Sequence, residues 1–267
     1  MPKNIVFTNK VAENYEKYMA PMFFEPYAKD MASRLLPDRI DSILEIACGT
    51  GQVTRLLRER LHKARIVATD LNPGMLELAK KIINPEDKIK WLVADALELP
   101  FEENTFDAVV CQFGMMFLPD KQKGANEAYR VLKPGGRFIN NTWDRLETNP
   151  ATKIAQDVIN SFFKDHSFNF YNTPFSMYDP EEIKSLFISA EFKNVSVENA
   201  SCAGYSASAE NAAKALCLGS PAYLAICEND ENLLPAILKA VAMAMEKEFG
   251  NSSFVVPNAA WVAEGVK

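Results

Sequence analysis

The chain has 267 residues, with 29 Lys and Arg against 35 Asp and Glu and a formal net charge of -6. That length suits one large α/β domain, and 48% hydrophobic with 24% charged residues excludes a collagenous, disordered or coiled-coil chain. The acidic balance argues against a broad phosphate-binding face, so nucleic acid is not an expected partner.

The first forty residues read as helical, with Tyr15, Tyr18, Met22, Phe23 and Tyr27 spaced by three to five. Pro21 and Pro26 interrupt the pattern and predict two short helices. From residue 43 short apolar runs alternate with helical periods. Strands are expected at 42–47, 65–69, 88–94, 106–111 and 137–142, and helices at 52–61, 73–83 and 120–131. This alternation implies βαβ units and a parallel sheet. After Trp143 the rhythm changes to a helix over 152–163, an aromatic irregular stretch, and a helix over 179–189 with Asp179 as N-cap and Pro180 at its first position. Residues 192–198 alternate like a strand, 207–248 look helical with breaks near Gly219 and Asp230, and 253–262 reads as a last strand. We therefore expect one domain over 1–267, its core at about 40–145 and 179–200 plus a final strand at about 253–264. Insertions at about 146–178 and 201–250 are expected to cap the sheet edge where ligands bind in open α/β folds.

Five cysteines occur without a C-x-x-C pair. Cys48, Cys111 and Cys217 sit in apolar runs as small buried thiols, which fits a reducing cytoplasm. The two histidines, His62 and His166, form no metal-ligand spacing, so no metal is expected. The amino-terminal residues carry no apolar run of signal length, and no stretch reaches the ~18 apolar residues of a membrane helix. Oligomeric state is not legible.

The most informative segment is Ile43-Leu-Glu45-Ile-Ala-Cys-Gly49-Thr-Gly51-Gln52. A strand ends, two glycines follow with one residue between, and a helix begins. Bare backbone there lets a ligand approach, and the helix N-terminus offers free N–H donors. Asp70 lies nineteen residues past Gly51, at the end of the second strand. That is the place for a carboxylate that accepts from a ribose diol. A dinucleotide loop wants a small third residue where this chain has Thr54. Glu45 would also repel a pyrophosphate but favour a cationic or amino-bearing ligand. Both features point from NAD toward S-adenosylmethionine.

These residues carry a family resemblance. Glu45 to Gly51 resembles motif I of the class I S-adenosylmethionine-dependent methyltransferases, and Thr69-Asp-Leu-Asn-Pro-Gly-Met-Leu76 resembles motif II. Val93-Ala-Asp-Ala96 with Leu99-Pro-Phe101 is similar to the adenine-holding segment, Phe106 to Phe113 to the fourth-strand motif, and Leu132 to Arg137 to the turn before strand five. Among such enzymes the chain is most similar to the small-molecule type related to ubiquinone and menaquinone biosynthesis. The resemblance implies a Rossmann-like, seven-stranded, mostly parallel sheet with helices on both faces. It implies that Glu45 contacts the methionine part, Gly49 and Gly51 let the cofactor lie against the backbone, and Asp70 binds the ribose. It places Leu71 and Met75 near the adenine, Asp95 and Ala96 on its amino edge, and Gln112 on the methyl-donating side. Asp107 reads as structural.

Loops at the strand ends supply acceptor-side candidates: Phe113, Phe117 and Trp143 for the substrate, and Tyr18 from the amino-terminal segment closing over the cofactor. An apolar, aromatic set favours a small hydrophobic or aromatic acceptor. His166 is a weak candidate base, flanked by Asp165 and Ser167. The alternatives are a nicotinamide-dependent oxidoreductase and a non-catalytic methyltransferase-like binding protein.

Overall fold

The structure is a computed structural model that describes residues 9–163 and 168–267. In chain order it contains α1 (Asn9–Asn14), a π-helical segment (Tyr15–Phe24), α2 (Glu25–Ser33), β1 (Ser42–Ile46), α3 (Gln52–Arg60), β2 (Arg65–Asp70), α4 (Pro73–Ile82) and β3 (Lys90–Val93). There follow β4 (Phe106–Gln112), α5 (Lys121–Val131), β5 (Leu132–Trp143), α6 (Pro150–Phe162), α7 (Pro180–Ser189), β6 (Lys193–Ser206), α8 (Ala209–Leu218), α9 (Ala222–Asp230), α10 (Leu234–Phe249) and β7 (Phe254–Val266).

The strands form one seven-stranded sheet in the order β3-β2-β1-β4-β5-β7-β6. The pairs β1·β2, β1·β4, β2·β3 and β4·β5 are parallel, while β7 runs antiparallel to β5. This is the expected Rossmann-like, mostly parallel architecture. Chain order reverses direction between β1 and β4, the kind of switch point at whose carboxyl ends ligands bind in open α/β sheets.

The apolar runs become central strands because both faces are covered. Every residue of β1 is buried. On one face Ile43, Ile66, Val110 and Ile139 join Met31 of α2, Leu35 just after it, and Val53 and Leu57 of α3 in a single core. Phe138, next to Ile139 on β5, points to the other face by the two-residue period of a strand. There it stacks on Phe187 and Phe192 at centroid distances of 5.0 and 5.6 Å, and Phe192 meets Tyr129 edge-on.

The chain divides into two compact units. One holds 27–144, 174–200 and 260–267 and carries β1 to β5 with α3, α4, α5 and α7. The other runs up to Pro26 and adds 145–173 and 201–259, with α6, α8, α9, α10 and the π-helical segment.

Local chemistry explains several helix starts. Asn72, Asp120, Asp179 and Ser208 cap α4, α5, α7 and α8 with side-chain oxygens, and Pro73 and Pro180 open their helices where no N–H is needed. Two expectations shift. The helical run from Asn9 to Ser33 is not split at Pro21; instead Pro21 sits inside the π-helical turn. Glu25 N donates to Ala20 O in the wider turn, and Met22 O, which Pro26 has no N–H to serve, accepts from Asn258 Nδ2 at 2.9 Å. Gly204 on β6 passes so close that a Cβ would stand 1.8 Å from Met22 O. The second shift is that β6 continues past Glu198 to Ser206 beside β7, which itself runs on to Val266.

Among the described residues no helix is long and apolar enough to cross a membrane. Cys48, Cys111 and Cys217 are buried as expected, and burial pushes the thiols of Cys111 and Cys217 up to about 12.

Candidate active site

Two left-handed turns meet at the switch point. After β1, Ala47 has φ 53°, Gly49 φ 56° and Gly51 φ 84°. After β4, Phe113 has φ 52°. Glycine takes this conformation freely, but alanine and phenylalanine do so at a cost of about 1–2 kcal/mol. Such strain collects at functional sites. The two turns touch: a Cβ on Gly114 would lie 2.6 Å from Ala47 Cβ and 2.7 Å from Cys111 Sγ, so only a glycine passes there.

The glycine loop is closed by backbone bonds from Cys48 N to Thr69 O and from Gly51 N to Cys48 O, both 2.9 Å. Asp70 ties the loop to β2. Its Oδ2 accepts from Gly49 N at 2.8 Å and its Oδ1 from Asn72 N at 2.8 Å. The carboxylate thus serves both the loop and the turn that starts α4. Burial raises its pKa, against the pull of those two N–H donors.

Glu45 lies one strand away, 1% exposed, with Thr54 Oγ1 donating to its Oε2 at 2.5 Å. Burial pushes this carboxyl up to about 8; the Thr54 hydroxyl bond pulls it down and the charge of Asp70 adds to the rise. Among the described residues neither Glu45 nor Asp70 has a salt-bridge partner. A buried and a half-buried acid without a cation, beside bare backbone, suit a positively charged ligand and oppose a pyrophosphate. The residues present therefore fit S-adenosylmethionine.

The other expected residues divide by position. Leu71 is 64% exposed and Met75 is buried on the first turn of α4. Asp95 is exposed, and its Oδ1 accepts from Leu97 N at 2.8 Å, with Ala96 buried next to it. Gln112 is half-buried at the end of β4, in register with Asn141 of β5. Phe113 and Trp143 are brought together as a parallel stack, centroids 3.8 Å apart and 10° from coplanar. Phe117 is half-buried in the short 3₁₀ turn after Gly114. Tyr18 belongs to the other unit, where the ammonium groups of Lys17 and Lys214 lie 5.1 and 5.6 Å from its ring centroid. His166 lies outside the described residues. Asp107 is structural, accepting from Ser42 N, Ser42 Oγ and Lys133 Nζ.

Sequence reading missed two residues. Tyr27 is fully buried; its hydroxyl donates to Ala200 O at 3.0 Å, and its ring meets Phe113 and Trp143 edge-on at 5.2 and 5.4 Å. Asn141 is also fully buried and bonds the turn after β4. Its signal was available as a pair of amides, Asn140 and Asn141, inside a strand otherwise fit for a core.

Known proteins agree with this geometry. A family model described as "Methyltransferase domain" matches residues 44–140. The chain is 36% identical over 179 residues to the ubiquinone/menaquinone biosynthesis C-methyltransferase UbiE of Rickettsia felis, covering 64% of this chain and 68% of that protein. It is 36% identical over 175 residues to the same-named enzyme of Rickettsia bellii, covering 62% and 67%. Among solved structures, the phosphoethanolamine N-methyltransferase 2 of Haemonchus contortus with S-adenosyl-L-methionine has a TM-score of 0.60 at 18% identity, over 100% of this chain and 61% of that one. A chain in the complex of the Haloferax volcanii Trm112 methyltransferase activator with its methyltransferase has a TM-score of 0.60 at 20% identity, over 96% and 95%. These likenesses show the same fold, and the relatives exclude the nicotinamide alternative. The chain belongs to the class I S-adenosylmethionine-dependent methyltransferases, as a relative of the UbiE C-methyltransferases.

Proposed function

We propose that this enzyme methylates a ring carbon of a small, hydrophobic aromatic acceptor of the prenylated hydroquinone class. The observation that carries the reading is the aromatic shelf formed by Phe113 and Trp143, with Tyr27 edge-on, at the carboxyl ends of β4 and β5. The rings are buried here, Phe113 and Trp143 being 5 and 6% exposed, and a planar, apolar acceptor entering against them would gain ring contacts worth roughly 0.5–1.5 kcal/mol beyond area burial. The printed function of the relatives lends support, because those enzymes are C-methyltransferases of ubiquinone and menaquinone biosynthesis.

When bound, S-adenosylmethionine supplies an electrophilic methyl group on a sulfonium. The chain then has to orient two partners and exclude water, work worth roughly 7–11 kcal/mol in favourable cases. In this reading Gly49 and Gly51 admit the cofactor to the backbone. Glu45 faces its ammonium end, and the lone pairs of Asp70 left over from Gly49 and Asn72 accept the ribose hydroxyls. Leu71 and Met75 flank the adenine, while Asp95 accepts from its amino group and Ala96 N–H donates to the ring. Gln112 lines the transfer side, and Phe113, Phe117 and Trp143 hold the acceptor in line.

The test is incubation with S-adenosylmethionine labelled in its methyl group and a reduced demethylmenaquinone bearing a short prenyl chain. Mass spectrometry should find one labelled methyl, and NMR should place it on carbon. Label on oxygen, or no product from protein that binds the cofactor, rules out this acceptor class.

A further inference from the structure

Phe113 is an expensive residue to place in a left-handed turn, and one side chain is committed to keeping it there. Phe113 N–H donates to Asn141 Oδ1 at 3.0 Å and is shared with Asn141 O at 3.2 Å. The backbone bond continues the parallel pairing of β4 with β5, in which Gln112 stands opposite Asn141. The side-chain bond is additional, and it reaches the first residue beyond the strand, where the chain leaves extended geometry for φ 52°.

Packing economy alone does not account for an amide at this position. Asn141 is 0% exposed, and its Nδ2 has no hydrogen-bond partner among the described residues. A buried donor without an acceptor is unfavourable, and an apolar side chain of similar size would avoid that cost. The contact that sets asparagine apart from such a side chain is the Oδ1 bond to Phe113.

The held turn has two neighbours. Through the ring of Phe113 it sets the stack on Trp143. Through Gly114 it lies against Ala47, the residue that begins the left-handed run into the glycine loop. All of these residues belong to one compact unit. We propose that Asn141 is a positioning residue for cofactor binding: its side-chain oxygen clamps the Phe113 turn in left-handed geometry and thereby supports the glycine loop after β1. It acts through Phe113 and touches neither reactant.

Calorimetric titration with S-adenosyl-L-methionine tests this without any acceptor. Asn141→Val removes the clamp and keeps the backbone bond. Affinity should fall about tenfold while the melting temperature stays near that of the parent. In a Phe113→Gly background the turn adopts positive φ without help, so the same substitution should change affinity by less than about twofold. A residue that only filled space would show the same loss in both backgrounds. Equal losses, or no loss in the parent background, overturn the proposal. Should Asn141→Val fail to fold, Asn141→Ser is taken through the same cycle, with the same two outcomes deciding.

Discussion

At the carboxyl ends of β1 and β2 the turn after β1 is left-handed, and at those of β4 and β5 the turn after β4 is, but the two are built differently. At the first pair, Gly49 and Gly51 take positive φ at no steric cost, and Asp70 holds the loop by accepting from Gly49 N. Acids dominate, and the surroundings prefer a cation. At the second pair a phenylalanine takes the same conformation, and an amide 28 residues away holds it. Rings dominate, which in the proposed reading suits a flat apolar acceptor. The first end is built within one strand–turn–helix–strand unit over residues 45–70, whereas the second also draws in Tyr27 from α2.

The sharpest way to separate the ends is Asp70→Ala. It removes the acceptor for Gly49 N and a carboxylate at the cofactor, so affinity for S-adenosylmethionine should fall about a hundredfold by calorimetry. Unchanged affinity would remove Asp70 from the site. At the other end, Trp143→Ala should raise the KM of the hydroquinone acceptor about tenfold while cofactor affinity holds within about twofold. If both affinities fall in proportion, Trp143 acts through the Phe113 turn and not on the acceptor.

Gly51→Ala asks whether the loop needs its positive φ. The added Cβ meets the mobile end of Ile83 at 2.6 Å, which can yield, but φ 84° cannot be relieved as easily. A loss of about 1–2 kcal/mol is expected, seen as a melting temperature lower by roughly 3–6 °C.

The smallest expected effect is on pH dependence. Glu45 titrates near 8 in the ligand-free protein against an ordinary value of 4.5. A cation binds the ionised form, so cofactor affinity should rise severalfold from about pH 6 and level off above about 8. Stability of the ligand-free protein runs the other way. The favourable contribution of the neutral carboxyl is intact below 4.5 and is lost as pH rises toward 8. Glu45→Gln should flatten both curves, and a pH dependence that survives it belongs to another group.

Much of the first end was legible because its information is local. Glu45, Gly49, Gly51 and Asp70 stand on one strand–turn–helix–strand unit, and chain connectivity brings them together. Phe113 and Trp143 were legible as residues at strand ends. Their stacking was not, since it depends on β4 and β5 pairing with Gln112 opposite Asn141. Tyr27 looked like ordinary helix core; only the fold brings its hydroxyl to Ala200 and its edge to the stack. Pro26 reads as a helix breaker by local rules, yet Asn258 supplies the donor that Met22 O would otherwise lack.

By itself, then, the sequence determined the strand and helix alternation, parallel βαβ units, the glycine loop and the expected charge of the ligand. All of these follow from periodicity, turn chemistry and spacing within one βαβ unit. Tertiary structure alone decided the aromatic shelf, the asparagine clamp and the π-helical turn. Each requires residues distant in the chain to meet, and the partner of a side chain is fixed by strand order and register.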